Sequence, residues 1–405
     1  MGTGTPTGML GELLTGAMNA HVAGYDQSAV VVERQVIRWL AELLGYPTTA
    51  SGLLVNGGTA ANLVGLTVAR NARAGFDVRA AGLQSSHQPA LRVYASTETH
   101  SWAGRACELL GLGRDALELV PVNARYEVDV TALRTAIARD RAVGHRPICV
   151  IGTAGTVNTG ATDDLEALAD LCAEEQLWFH VDGAFGALAA LAPELRRMVA
   201  GMARADSLAF DLHKWGYVQY EVGCVLVRDE PTHRAAFAST AAYLTAMGRG
   251  IAAEPLHFAD LGLQLSRGFR ALKVWLALKT DGADAWGRLI RQNVLHARYL
   301  ADMVELNDEL ELLAPVPLNV VCFRYAAPGC DRTTLDALNR EILCELQERG
   351  VAVPSGTTLR TAAGPCFALR IANTNHRSRR EDFELLVSAV VAIGRELGAT
   401  ARTSS

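Results

Sequence analysis

The stretch SLAFDLHKW, residues 207–215, ends a short apolar run on a His-Lys pair, His213 and Lys214. At the carboxyl end of a strand, partial desolvation lowers a lysine's pKa and frees its amine to attack an aldehyde. The alternative is a lysine merely exposed at a strand end. In LWFHVDGA, residues 177–184, a second apolar run ends on Asp182, 32 positions before the lysine. A carboxylate there can face a heteroaromatic nitrogen and keep it protonated; equally, it can cap the next turn. In LLVNGGTAAN, residues 53–62, a strand leads into Gly57, Gly58, Thr59 and a helix. Glycines allow close backbone approach, and a helix N-terminus offers free N–H groups to an anion. The stretch is neither GxGxxG nor a P-loop, and a plain N-cap at Thr59 is the alternative reading. In YASTETHSW, residues 94–102, His100 follows a strand and could stack on a planar ring or make a local hydrogen bond. In GTAGTVNTGATDDL, residues 152–165, small polar residues including Thr156 follow a strand, and Asp163 or Asp164 can cap the next helix.

The elements that must position these residues alternate. Candidate strands cover 91–95, 117–121, 147–153, 177–182, 207–211 and 223–228; candidate helices cover 60–74, 103–111, 130–141 and 165–175. Such alternation predicts an α/β fold with a mostly parallel sheet and helices on both faces. Residues 1–50 read as helical, stopped at Gly45-Tyr46-Pro47. After Arg228 the chain reads as loop-rich, then helical over 265–300, and 315–400 reads as a smaller α+β domain. The expected organisation is therefore a helical segment 1–50, a large domain 51–285 and a small C-terminal domain 286–405. In an open α/β sheet, ligands bind beyond the carboxyl ends of the strands. Phosphate cradle, ring stacker, small-residue loop, acid and lysine follow there in sequence. That order is the one pyridoxal 5'-phosphate requires: an anchored phosphate, a ring nitrogen kept protonated by a carboxylate, and a lysine for its aldehyde.

Composition narrows the classes. A net charge of −5 and scattered basic residues give no footprint for nucleic acid or an anionic membrane. The eight cysteines show no CxxC spacing, which favours reduced thiols in a cytoplasmic enzyme over disulfides or a metal site. The start MGTGTPTGML lacks the features of a signal peptide, and no apolar run approaches the ~18 residues of a transmembrane helix.

The stretches HVDGAFG, DLHKW and GTAGTVNTGATDDL closely resemble the group II pyridoxal-phosphate-dependent amino-acid decarboxylases, the last two most of all the bacterial members of the aromatic-type branch. The resemblance spans about 1–395. It implies an aspartate-aminotransferase-type fold (fold type I) with a seven-stranded sheet, and a homodimer with sites at the interface. It implies decarboxylation of an L-amino acid, aromatic or related, to the amine and CO2. Lys214 then forms the Schiff base with the cofactor, Asp182 partners the pyridinium, and His100 stacks on the ring and approaches the substrate carboxylate. Gly58, Thr59 and His213 match phosphate contacts; Ala184 and Thr156 match positions beside the ring; Arg370 fits the C-terminal domain pattern without a catalytic task.

Four departures follow. Relatives carry a further helical N-terminal segment, so 1–50 reads as shortened. Asp211 stands where many relatives have Asn near the phosphate. Val157 replaces a second Thr. Counting back from GFRALK at 268–273 puts Phe258 where a catalytic-loop Tyr would protonate Cα, with Tyr243 the other candidate. A Phe there would imply aldehyde synthesis or a non-catalytic homologue; the plain reading is a packing residue.

Overall fold

The computed structural model describes residues 2–84, 88–239, 249–251, 257–327, 329–361 and 364–403. They form two compact units, Met1–Gly155 with Thr162–Arg288, and Thr156–Ala161 with Leu289–Ser405.

In chain order the first unit holds α1 (Pro6–Met18), α2 (Ser28–Leu43), β1 (Ser51–Val55), α3 (Gly58–Arg73), α4 (Val78–Ala81), β2 (Leu91–Ser96), α5 (Trp102–Leu109), β3 (Leu117–Val120), α6 (Val130–Ala142), β4 (Arg146–Thr153), α7 (Leu165–Glu174), β5 (Trp178–Asp182), β6 (Ser207–Asp211), β7 (Gly223–Val227), α8 (Glu230–Phe237) and α9 (Ala271–Thr280). The seven strands run in the order β1-β7-β6-β5-β4-β2-β3. Only β7 is antiparallel to its neighbours β1 and β6. The other six strands therefore end on one edge. β1, β5, β6 and β7 are buried at every position, as continuous apolar runs covered on both faces should be.

α3 runs across this sheet because its inner face is narrow. A Cβ at Gly65 would lie 2.6 Å from the His180 ring, so only glycine lets the helix approach β5 this closely. A buried ion pair braces the same region. Arg267 donates to the carbonyls of Val22 and Leu54 and pairs with Glu33, both side chains fully buried. The pair ties α2 to the strand that delivers the α3 N-terminus.

α10 (Ala283–Glu305) leads into the second unit. There β8 (Leu310–Leu312), β9 (Val320–Tyr325), α11 (Arg332–Glu348), β10 (Ser355–Thr361), β11 (Gly364–Ala372) and α12 (Arg380–Thr403) follow. Its four strands form an antiparallel sheet ordered β10-β11-β9-β8. Leu300, Phe323, Ile342, Leu369 and Val390 are central to its core. The loop 156–161 belongs here. Arg370 donates to the carbonyl of Val157 at 2.7 Å, and Thr357 to Asn158 Oδ1 at 2.9 Å.

The region after Arg228, expected to be loop-rich, opens instead with α8. Its start signals are local: Asp229 caps it by accepting from the Thr232 N–H at 2.9 Å, and Pro231 sits in the first turn. No described helix is long and apolar enough to cross a membrane.

Candidate active site

Three strand ends and one helix start converge on the carboxyl edge of the seven-stranded sheet. β6 ends on Asp211, and the turn that follows carries His213 and Lys214. The Lys214 amine lies 2.9 Å from Asp211 Oδ2, and His213 Nε2 lies 3.6 Å from the same oxygen. His213 is fixed from behind, its Nδ1 3.0 Å from the Val222 carbonyl oxygen, and burial holds its pKa below the ordinary histidine value. Its ring lies 4.3 Å from that of Tyr220.

β5 ends on Asp182, which is 4% exposed. Both its oxygens are engaged: Oδ2 accepts the Trp102 indole N–H at 2.6 Å, and Oδ1 accepts the Ala184 N–H at 3.0 Å. Ala184 in turn accepts the Asp211 N–H on its carbonyl at 3.2 Å, linking the ends of β5 and β6.

β1 ends in Asn56 and the glycine pair. The N-cap of α3 is Gly57, at φ +127°, and it has no side chain to cap the helix. Thr59 is therefore not the N-cap considered above; it lies in the first helical turn and is exposed. The leading N–H groups of a helix lack intrahelical partners, and here no side chain caps them. A Cβ on Gly58 would lie 2.9 Å from Asp211 Oδ2 and 3.1 Å from Ala184 Cβ. The helix start is thus an open donor cradle pressed against the strand ends that carry Lys214 and Asp182.

His100 follows β2 and is exposed. Its Nδ1 accepts the Trp102 N–H at 3.2 Å, which puts the proton of a neutral ring on Nε2. Thr156 lies in the second unit, where its hydroxyl is 3.0 Å from that of Thr159 and accepts the Ala161 N–H at 3.1 Å. Asp164 caps α7 through the Ala167 N–H at 3.0 Å. Asp163 does not cap. It accepts the N–H groups of Val128 at 2.7 Å and Thr153 at 2.8 Å, and burial raises its pKa to about 6.

Two supporting residues escape a reading of the sequence alone: Trp102 and His180. His180 Nε2 lies 2.7 Å from Asn62 Oδ1 in α3, and its Nδ1 lies 2.7 Å from the Ser207 hydroxyl in β6. Ser207 also accepts the Trp178 indole N–H at 2.8 Å. With Nε2 donating to Asn62, the Ser207 hydroxyl donates to Nδ1, and a neutral imidazole has both ring nitrogens satisfied. Burial lowers the His180 pKa to about 4, against the opposing pull of Asp182. The signal was the strand period: positions 180 and 182 share one face of β5.

Phe258 is 2% exposed and lies under the Arg267 guanidinium, 5.0 Å from ring centroid to Cζ, so it packs in the interior. Tyr243 lies outside the described residues.

Comparison with known proteins agrees with this geometry. The family description "Pyridoxal-dependent decarboxylase conserved domain" matches residues 2–326. The chain is 34% identical to the aromatic-L-amino-acid decarboxylase of Bacillus atrophaeus, over 96% of this chain and 79% of that one. It is 30% identical to the L-2,4-diaminobutyrate decarboxylase of Acinetobacter baumannii, over 85% of this chain and 69% of that one. Among solved structures, Oryza sativa TDC with PLP and tryptamine superposes with a TM-score of 0.89 at 28% identity, covering 98% of this chain and 82% of that one. The chain belongs to the pyridoxal-dependent decarboxylase family. It has the fold type I architecture, and it is a pyridoxal-phosphate-dependent carboxy-lyase acting on an amino acid.

The residues present fit that cofactor. An uncapped helix start with no room for a Cβ suits a phosphate, a buried and doubly held carboxylate suits a pyridinium, and a lysine whose side chain is 27% exposed suits an aldehyde.

Proposed function

We propose that this protein decarboxylates an aromatic L-amino acid on Lys214, as a cytoplasmic homodimer. The observation that carries the site assignment is the convergence of Lys214, Asp182 and the open α3 N-terminus on one edge of the sheet. When bound, pyridoxal 5'-phosphate supplies an aldehyde and an electron-poor ring that takes up the electron pair left at Cα by departing CO2. Lys214 holds the cofactor through its amine. Asp182 keeps a proton on the ring nitrogen, and Trp102 with Ala184 keeps the Asp182 carboxylate in place for that task. Gly58, Thr59 and His213 hold the phosphate. His100 stacks on the ring and orients the substrate carboxylate, and Ala184 lies beneath the ring. The bond that breaks is selected by orientation: the residues must hold the Cα–carboxylate bond perpendicular to the ring plane.

The aromatic substrate is favoured by the likeness to the Bacillus atrophaeus enzyme and to the rice structure with tryptamine. The dimer is supported by α1, which exposes Met9, Leu10, Leu13, Leu14 and Met18, an apolar row that a second copy would cover. Cytoplasmic residence fits eight free cysteines.

The test offers aromatic L-amino acids and L-2,4-diaminobutyrate to the purified protein and measures CO2, amine, aldehyde and hydrogen peroxide together. Equal CO2 and amine from an aromatic substrate is the expected result. Turnover of diaminobutyrate alone would overturn the substrate assignment. Aldehyde and peroxide in equal amounts, with no amine, would overturn the reaction.

A further inference from the structure

Residues 2–11, GTGTPTGMLG, carry an inference that rests on Lys214 being the cofactor lysine and goes beyond it. The turn after Lys214 needs outside support. Tyr217, three positions past the lysine, is fully buried at φ +53°, a left-handed conformation that bulky residues rarely take and that persists only where the surroundings impose it. Its N–H donates to the Lys214 carbonyl at 3.4 Å, closing the turn on the lysine. Thr5 supplies the support. Its N–H donates to the Tyr217 carbonyl at 3.0 Å, and its own carbonyl accepts the Gln219 side-chain amide at 2.8 Å. Thr5 also starts α1: its hydroxyl accepts the Gly8 N–H at 3.3 Å, and its carbonyl the Met9 N–H at 3.1 Å. One residue thus joins the lysine turn to a helix.

Glycines let the two meet. A Cβ on Gly2 would overlap the Lys214 carbonyl oxygen and lie 3.0 Å from the His213 carbonyl oxygen, both backbone atoms that cannot swing aside. Cβ atoms on Gly4 and Gly8 would overlap the Gln219 carboxamide. Further along, α1 is fixed to α9. A Cβ on Gly11 would lie 2.6 Å from Lys273 Cα, the Lys273 amine pairs with Glu12 at 2.7 Å, and the Thr15 hydroxyl donates to the Phe269 carbonyl at 3.3 Å.

We propose that Gly2, Thr5, Gly8 and Gln219 are positioning residues for Lys214: Thr5, seated on α1, holds the turn that sets where the lysine amine meets the cofactor aldehyde. What they fix is the backbone from which the lysine side chain starts. Bond formation needs the reacting atoms aligned, and a misplacement of about 1 Å can cost ~100-fold in rate. The rest of the site has its own supports. Asp182 is held by Trp102 and Ala184, His213 by the Val222 carbonyl, and the phosphate cradle is the start of α3. Loosening residues 2–8 should therefore slow capture of the aldehyde without weakening the hold on the phosphate and ring.

The test removes the cofactor, returns pyridoxal 5'-phosphate and follows the absorbance of the lysine-bound form. Gln219→Ala deletes one of the two bonds to Thr5, and the rate of lysine–cofactor bond formation should fall at least about tenfold. A wild-type rate would overturn the proposal. Gly2→Ala, which presses on the Lys214 carbonyl itself, gives the same reading should Gln219→Ala fold poorly. Gly8→Ala displaces the same carboxamide, so Gly8→Ala/Gln219→Ala should be no slower than Gln219→Ala; additive losses would overturn the proposal. Gly16→Ala, in α1 with nothing within 4 Å of its Cβ, should match wild type. An equal loss there would overturn it, because α1 and not its hold on the turn would then matter. In a second arm, equilibrium dialysis compares non-covalent cofactor binding to Lys214→Ala and to Lys214→Ala/Gln219→Ala. Equal affinities are expected. A fall in affinity that matches the fall in rate would show that the segment props the whole pocket, and would overturn the positioning role. If Lys214→Ala keeps the absorbance of lysine-bound cofactor, the Lys214 assignment itself falls.

Discussion

Trp102 and Asp182 meet through a 2.6 Å hydrogen bond from the indole N–H to Oδ2, although 80 positions separate them in the chain. The bond holds a buried carboxylate from the side opposite its contact with Ala184. It also joins the helix that follows His100 to the strand that ends on Asp182. Trp102→Phe keeps the ring volume and deletes the donor. Loss of a hydrogen bond to a charged group costs about 1.5–3 kcal/mol. Expressed in the transition state, that corresponds to a fall of about tenfold or more in kcat. Steady-state kinetics check it, with thermal unfolding as control; unchanged kcat would remove Trp102 from the support of Asp182.

Gly58→Ala tests the cradle. The new Cβ would sit 2.9 Å from Asp211 Oδ2 and 3.1 Å from Ala184 Cβ, so the helix start must move away from the strand ends. Cofactor retention should weaken about tenfold, equivalent to ~1.4 kcal/mol. Gly57→Ala adds backbone strain at φ +127° and should weaken it further. Dialysis against cofactor-free buffer followed by absorbance measures both; retention equal to wild type would place the phosphate elsewhere.

Much of this arrangement was legible in the sequence. Strands β2 and β4 to β7 are short, mostly apolar runs, because a sheet covered on both faces buries nearly every side chain in them; β3, at the sheet edge, buries only Val120. The five motifs follow β1, β2, β4, β5 and β6, strands that run in one direction and end on one edge. What escaped depends on partners far away in the chain. Trp102 reads as a core aromatic until the fold brings Asp182 to it. His180 reads as one polar residue in an apolar strand until Asn62 and Ser207 satisfy both its nitrogens. Gly57, rather than Thr59, starts α3 because the backbone takes a positive φ that no side-chain signal predicts. α8 escaped for a different reason: its Asp229 and Pro231 start signals are local but stand in an otherwise polar stretch.

The buried pair Glu33–Arg267 should be far more costly to break than to replace. Burial pushes the Glu33 carboxyl up, while Arg267 pulls it down, so the two charges depend on each other. Glu33→Leu or Arg267→Met alone leaves an unpaired buried group and should cost about 3–5 kcal/mol. The double variant should recover much of that loss. Thermal unfolding of the four proteins gives the coupling; additive losses would show that the residues act independently.

His180 and His233 predict an acid limit on stability. His233 is fully buried, its Nδ1 2.8 Å from the Ser51 hydroxyl and its Nε2 2.8 Å from the Leu261 carbonyl oxygen, and burial lowers its pKa to about 4. His180 is lowered to about 4 by the same cause. The unfolded chain binds a proton on each near pH 6.5, whereas the folded chain resists until about pH 4. Between those values the unfolded state holds more protons, so stability falls as pH falls and levels off below the folded value. Each histidine should account for a loss of up to about 3 kcal/mol across that window. His233→Gln keeps an amide that can donate to Leu261 and accept from Ser51, and it removes one titrating group. Denaturant melts at about pH 7 and 4.5 check the difference: the variant should lose less stability on acidification than the wild type. An identical acid loss in both would show that His233 is already protonated in the fold.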